Sequence, residues 1–140
     1  GCRIMARQYT NIIMSAASLF IGCLLYVLFR EDTYIGNIFS DLPFITALRI
    51  WVSPISCNFV KFYFEDFLWG LSLGFGLQVF FTSRTAEILL CGCVAFLCGL
   101  IWECLQFSGI ISGTGDFWDI VSYFCAGTMC IIFNLRRENQ

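Results

Sequence analysis

The stretch NIIMSAASLFIGCLLYVLF, residues 11–29, carries no charge and is bounded by Arg3 and Arg7 before it and by Arg30, Glu31 and Asp32 after it. A hydrocarbon core of ~30 Å is crossed by ~20 residues of helix, so this run by itself is long enough to span a bilayer. It is longer than the apolar core of a signal peptide and ends in charges instead of a small-residue cleavage site, so it reads as a retained anchor. Three more apolar stretches follow at about 66–81, 86–107 and 119–135.

Composition agrees with this reading. Hydrophobic residues make up 59% of the 140 and charged residues 13%, with a mean hydropathy of +0.79. That leaves too little polar surface for a soluble domain of this size. Four spans nearly fill the chain, so the expectation is a single transmembrane domain over residues 1–140. Short joins at 82–85 and 108–115 force neighbouring spans to pack antiparallel, which gives an all-α, antiparallel four-transmembrane-helix bundle in the lipid bilayer.

Lys and Arg in short loops stay on the cytoplasmic side. With four spans, Arg3, Arg7, Arg84, Arg136 and Arg137 share one side, while Arg30, Arg49 and Lys61 are spread through the long loop at 30–65 on the other. The chain is therefore expected to be multi-pass with both termini cytoplasmic, and the loop between spans 3 and 4 to face outward. The 30–65 loop is too apolar to be a free linker. Ile45, Leu48, Val52 and Ile55 recur at helical spacing after Pro43, Pro54 should break that helix, and Trp51, Phe59, Phe62, Tyr63 and Phe64 suit the interfacial zone. An interfacial amphipathic helix is the plainer reading, and a re-entrant lid over the outward mouth the sharper one.

Several chemistries are excluded. There is no histidine, no Cys-x-x-Cys pair and no phosphate-cradling glycine pattern, so neither a zinc site nor a bound cofactor is expected. Most of the nine cysteines fall inside spans as small packing residues, and Cys57 and Cys104 are the pair that could meet on the outer side. A net charge of -2 with no basic patch argues against nucleic acid. Gly70 and Gly74 have the spacing that lets membrane helices approach closely, and Gly92 and Gly99 suit the same role.

What remains is acidic. Glu65, Asp66, Glu103, Asp116 and Asp119 all sit near segment ends that alternation would bring to one face. Asp116 and Asp119 flank Phe117-Trp118 at the start of span 4, where an N-capping Asp and a second acid one turn on both suit a helix start. Glu65 and Asp66 also precede a helix, so capping covers them nearly as well. Glu103 is different: it lies in the last turns of span 3, at the negative end of the helix dipole, where an acid in a membrane is costly unless paired or hydrated. Gln106 projects from the same helix face and can share a ligand with it.

Trp102-Glu103-Cys104-Leu105-Gln106, then Gly113-Thr114-Gly115-Asp116-Phe117-Trp118-Asp119-Ile120, and then Gly127 resemble the VanZ-like family of small bacterial membrane proteins. In that family a Glu-x-x-Gln pair closes one span and an Asp-x-x-Asp pair opens the next, with a glycine about two turns later. Glu103, Gln106, Asp116, Asp119 and Gly127 match residue by residue, and Asp66-Phe67-Leu68-Trp69 looks like the opening of an earlier span. The turn departs from many members, which carry an Arg between the Gln and the first Asp, whereas 108–115 has no basic residue. The resemblance implies a bacterial cytoplasmic-membrane protein with a link to glycopeptide resistance, teicoplanin above all, and no settled mechanism.

Three function classes follow. The first is a non-enzymatic envelope factor that binds a lipid headgroup, a cell-wall precursor or part of an antibiotic at Glu103, Gln106, Asp116, Asp119, Asp66 and Trp69. The second is an enzyme acting on an envelope lipid through carboxylate acid-base or divalent-ion chemistry. The third is a small proton-coupled exporter, disfavoured because Glu103 lies near a span end. The first is preferred.

Overall fold

The computed structural model describes residues 2–30, 33–55, 58–81 and 84–139, without the side chains of Arg3 and Ile55. Helix α1 (Cys2–Phe29) leads into a connection made of α2 (Tyr34–Ser40), α3 (Pro43–Val52), a 3₁₀ turn (Ser53–Ile55) and α4 (Asn58–Phe62). Helices α5 (Phe64–Gln78), α6 (Thr85–Phe107) and α7 (Phe117–Glu138) follow, and no strand occurs among the described residues. Three of these, over Ile4–Phe29, Thr85–Phe107 and Phe117–Glu138, are long and apolar enough to cross a membrane.

The second expected span is the short one. At 15 residues, α5 rises about 22 Å, less than a bilayer core. The helix does not stop abruptly at Gln78. Val79, Phe80 and Phe81 donate backbone hydrogen bonds to Gly76, Leu77 and Gln78, so the chain tightens into i to i+3 turns as far as residue 81. The first span also differs from expectation, since its helix extends back to Cys2.

Helix α5 is the centre of the assembly and the small residues on it set the packing. Toward α1, Ser15 Oγ donates to the Ser72 carbonyl at 2.8 Å and Gln8 Nε2 to the Val79 carbonyl at 3.2 Å, a register that runs antiparallel. Toward α7 the helices run parallel: Gly70 faces Tyr123 and Ala126, Gly74 faces Cys130, and the Phe75 and Phe133 rings meet edge-on at 5.5 Å. Helix α6 returns antiparallel on α7, Gly92 lying against Ile131 and the Gly127 carbonyl and Gly99 under the Tyr123 ring. In lipid no hydrophobic drive holds helices together, so close approach through such glycines takes over that work. The core is correspondingly small: Leu68, Leu71, Phe75, Ala126 and Cys130, with Met14, Leu25, Phe67 and Phe133 around them.

Polarity is distributed inside out. Asn11, Ser72, Gln78, Glu103, Ser122 and Asn134 are buried, whereas Phe20, Leu90, Leu97, Ile101, Phe124 and Ile132 are exposed on the outer faces. That is the arrangement a hydrocarbon solvent favours, and with the three long apolar helices it makes this a multi-pass membrane protein. The cysteines divide accordingly: of those expected to pack inside spans, Cys91 and Cys130 are buried but Cys23, Cys93, Cys98 and Cys125 are exposed, and Cys104 is exposed as well. The Cys57–Cys104 pairing involves a residue outside those described.

The termini meet at one end of the bundle, where Arg7 Nη2 donates to the Arg137 carbonyl at 2.7 Å. At the other end the long connection is tied to the end of α1 by Arg49, whose guanidinium donates to the carbonyls of Val27 at 2.7 Å and Gly36 at 3.2 Å and to Ser40 Oγ at 2.8 Å. As expected, Pro43 opens α3 at its first turn and the helix ends before Pro54. Along the expected stripe Ile45 is buried and Leu48 and Val52 are half-buried, the Ile55 side chain lying outside the described residues, while the apolar Phe44, Ile50 and Trp51 are exposed.

Candidate functional site

The end of α6 is closed by a glycine. Gly109, at φ +70, donates to the Gln106 carbonyl and Ile110 donates to that of Leu105, the bond pair that satisfies the last carbonyls of a helix with a left-handed residue just beyond it. The chain then folds back across Gln106. Gly113 adopts φ +142, and a Cβ there would sit 2.5 Å from Gln106 Nε2, so glycine is the residue this turn accepts. The turn delivers Asp116 as the N-cap of α7, its Oδ1 accepting from the Trp118 N–H at 3.0 Å.

Glu103 is 2% exposed and does not cap a helix of its own. Its Oε2 accepts the backbone N–H of Asp116 at 3.2 Å, which joins the last turns of α6 to the first residue before α7. Asp116 Oδ2 in turn accepts from the Tyr63 hydroxyl at 3.0 Å. That bond, with partial burial and the charges of Asp116 and Asp119, pushes the Tyr63 phenol above its ordinary value, so it remains a protonated donor.

Glu65 and Asp66 are not caps, contrary to expectation. Residue 63 is the N-cap of α5 and gives no side-chain cap bond. Glu65 is buried and ion-paired with Arg30 at the end of α1. Asp66 Oδ1 accepts from the Tyr123 hydroxyl at 2.9 Å, and its carboxyl lies within hydrogen-bond reach of that of Asp119. Asp119 Oδ1 is buried without a hydrogen-bond partner. Two carboxylates this close repel unless a proton or a cationic group comes between them.

These residues surround a common space. A cavity of about 390 Å³ is lined by Asp66, Glu103, Gln106, Asp116 and Asp119 together with Arg30. A second, of about 820 Å³, shares Arg30, Asp66, Trp102, Gln106 and Gly113 with it, so the two adjoin. The larger one is walled by Tyr26, Tyr34, Trp69 and Trp102. Trp69 thus lines the larger cavity, with Glu65 and Asp66, and not the smaller one that holds Glu103, Asp116 and Asp119. The connection covers the space through its ends, Thr33 and Tyr34 on one side and Phe62 and Tyr63 on the other, while no residue of α3 lines it.

All six residues singled out from the sequence therefore line this space. Arg30, Tyr63 and Tyr123 were missed. Arg30 brings from α1 the cation that the 108–115 turn lacks, a role no local motif announces. Tyr123 had a signal: it lies one helical turn after Asp119, on the same face. Comparison with family models, with curated proteins and with solved structures finds no match for this chain.

Proposed function

We propose that this chain is a VanZ-like protein of the bacterial cytoplasmic membrane, a four-span bundle with both termini cytoplasmic. It acts without catalysis, binding a polar or cationic group of an envelope lipid, cell-wall precursor or antibiotic in an outward-facing acidic cavity, and so raises tolerance of glycopeptides. The observation that carries the reading is Glu103, a carboxylate 2% exposed whose oxygen is fixed by Asp116 at 3.2 Å on the wall of a cavity shared with Asp66, Asp116 and Asp119. Against those acids the cavity holds Arg30, which is already engaged by Glu65. An ammonium group suits what is left, and the indole and phenol walls of the larger space favour a cation further.

The alternating directions of α1, α5, α6 and α7 support four spans, and mismatch at α5 is of the size a locally thinned bilayer accommodates. Arg7, Arg84, Arg136 and Arg137 lie at the end away from the cavity, which supports the orientation. Leu68, Leu71 and Phe75 fill the core beneath the cavity, which weighs against a route through the bundle for export. The test is expression in a glycopeptide-sensitive bacterium, with tolerance of teicoplanin scored for the wild type and for Glu103→Gln at equal membrane abundance. Loss of tolerance with the variant is expected. Equal tolerance in both would sink the acidic cavity as the working site.

A further inference from the structure

The end of the bundle opposite the acidic cavity holds a second polar assembly that the reading above does not use. Arg7 on α1 and Arg137 on α7 come from the two ends of the chain and meet there. Arg7 Nη2 donates to the Arg137 carbonyl at 2.7 Å, and Arg137 Nη1 donates to Asn11 Oδ1 at 3.4 Å with its guanidinium over the Phe133 ring. Both arginines are half-buried, and among the described residues neither has a carboxylate within ion-pair distance. The acid beside them is engaged elsewhere: the Glu138 carboxylate accepts from Thr85 at 3.0 Å.

Two like charges held side by side are disfavoured unless an anion lies between them. Arg7 Nη2 also reaches the Glu138 carbonyl at 3.4 Å; the other N–H groups of the two forks are left for such a partner, and a guanidinium fork matches a tetrahedral oxyanion in two-point contact. The ground beneath repeats the pattern. Gln78 and Asn11 are both 0% exposed, and Asn11 Nδ2 and both polar atoms of the Gln78 amide, Nε2 and Oε1, are buried without a hydrogen-bond partner. Gln8, which bonds the Val79 carbonyl at 3.2 Å, places α1 against this end of α5 and so sets those amides in the same layer as the arginines.

We propose that Arg7 and Arg137 form a binding site for the phosphate group of a membrane lipid at the terminal end of the bundle. The lipid joins the first and last helices by neutralising the pair, and its acyl chains lie along the exposed apolar faces of α1 and α7. The site is independent of the acidic cavity and of the function assigned to it.

The full chain, purified in a neutral detergent, is titrated separately with phosphatidylglycerol, with a diacylglycerol of the same chains and with sodium phosphate. Thermal unfolding and retained lipid by native mass spectrometry are read for each. Phosphatidylglycerol should raise the unfolding midpoint and be retained, and the diacylglycerol should do neither. Arg137→Gln should weaken retention about tenfold, the size of one lost charge-assisted contact, and Arg137→Lys should recover part of it. Arg136→Gln removes the same charge from an exposed neighbour and should leave retention unchanged. Equal losses in the two Gln variants would reduce the effect to general surface charge and overturn the site. A full midpoint shift from sodium phosphate alone would overturn the lipid as occupant.

Discussion

Tyr123 and Asp66 are joined across the parallel α5 and α7 by a hydrogen bond of 2.9 Å, and the ring that carries the hydroxyl is the one lying over Gly70 and Gly99. One side chain therefore fills the contact between three helices and holds a carboxylate of the cavity. Tyr123→Phe separates the two roles. It should cost about 1 kcal/mol, within the range for interhelical bonds in membranes, read as a lower thermal midpoint in detergent. It should also weaken binding at the cavity, because Asp66 loses its fixed orientation. Unchanged stability and unchanged binding would show that the bond is incidental.

Gly99→Ala tests the same contact from the other side. A Cβ at residue 99 would run into the Tyr123 ring, and overpacking of this kind costs about 1–3 kcal/mol. Combined with Tyr123→Ala, the cost should fall well below the sum of the two single changes, since the clash then has no partner. Additive losses would place the strain elsewhere.

The acids of α7 should behave differently from one another. Asp116 is the cap, and Asn caps nearly as well, so Asp116→Asn should change stability by only a few tenths of a kcal/mol. Asp119 makes no cap bond and faces Asp66 across the cavity. Asp119→Asn should therefore abolish teicoplanin tolerance with little loss of folded protein. The reverse order of effects would make Asp116 the functional acid and Asp119 a structural one.

Topology follows from the meeting of the termini. In a background without other cysteines, Ser112→Cys and Glu138→Cys lie at opposite ends of the bundle. An impermeant thiol reagent applied to intact cells should label the first and spare the second. Labelling of both, or of residue 138 alone, would overturn the orientation.

Much of this was legible because the chain obeys local rules. Apolar runs predicted α6 and α7 nearly to their ends and the C-terminal end of α1, whose helix starts nine residues before the expected span, and an acid at a helix C-terminus led directly to Glu103. Asp116 as a cap followed from its position before Phe117-Trp118. What stayed hidden was tertiary. Glu65 and Asp66 look like caps from their place at a helix start, yet each is taken by a partner from another helix, Arg30 and Tyr123, that no spacing rule reaches. The early end of α5 was equally hidden, since Val79, Phe80 and Phe81 are as apolar as the helix before them and only the change to hydrogen bonds spanning three residues marks it.

Helices α1 and α6 both rest on α5, and the larger cavity lies between their ends, reaching Tyr26 on one and Trp102 on the other. Trp69 and Trp102 line that space while remaining 39% and 47% exposed on the flank of the bundle. Two part-exposed indoles therefore border the chamber where the bundle flank meets lipid. On the function proposed above, an amphiphilic ligand would enter within the plane of the leaflet and present its head to the carboxylates while its tails stay in the oil. For such a guest the concentration that matters is its mole fraction among neighbouring lipids, not its level in the water outside.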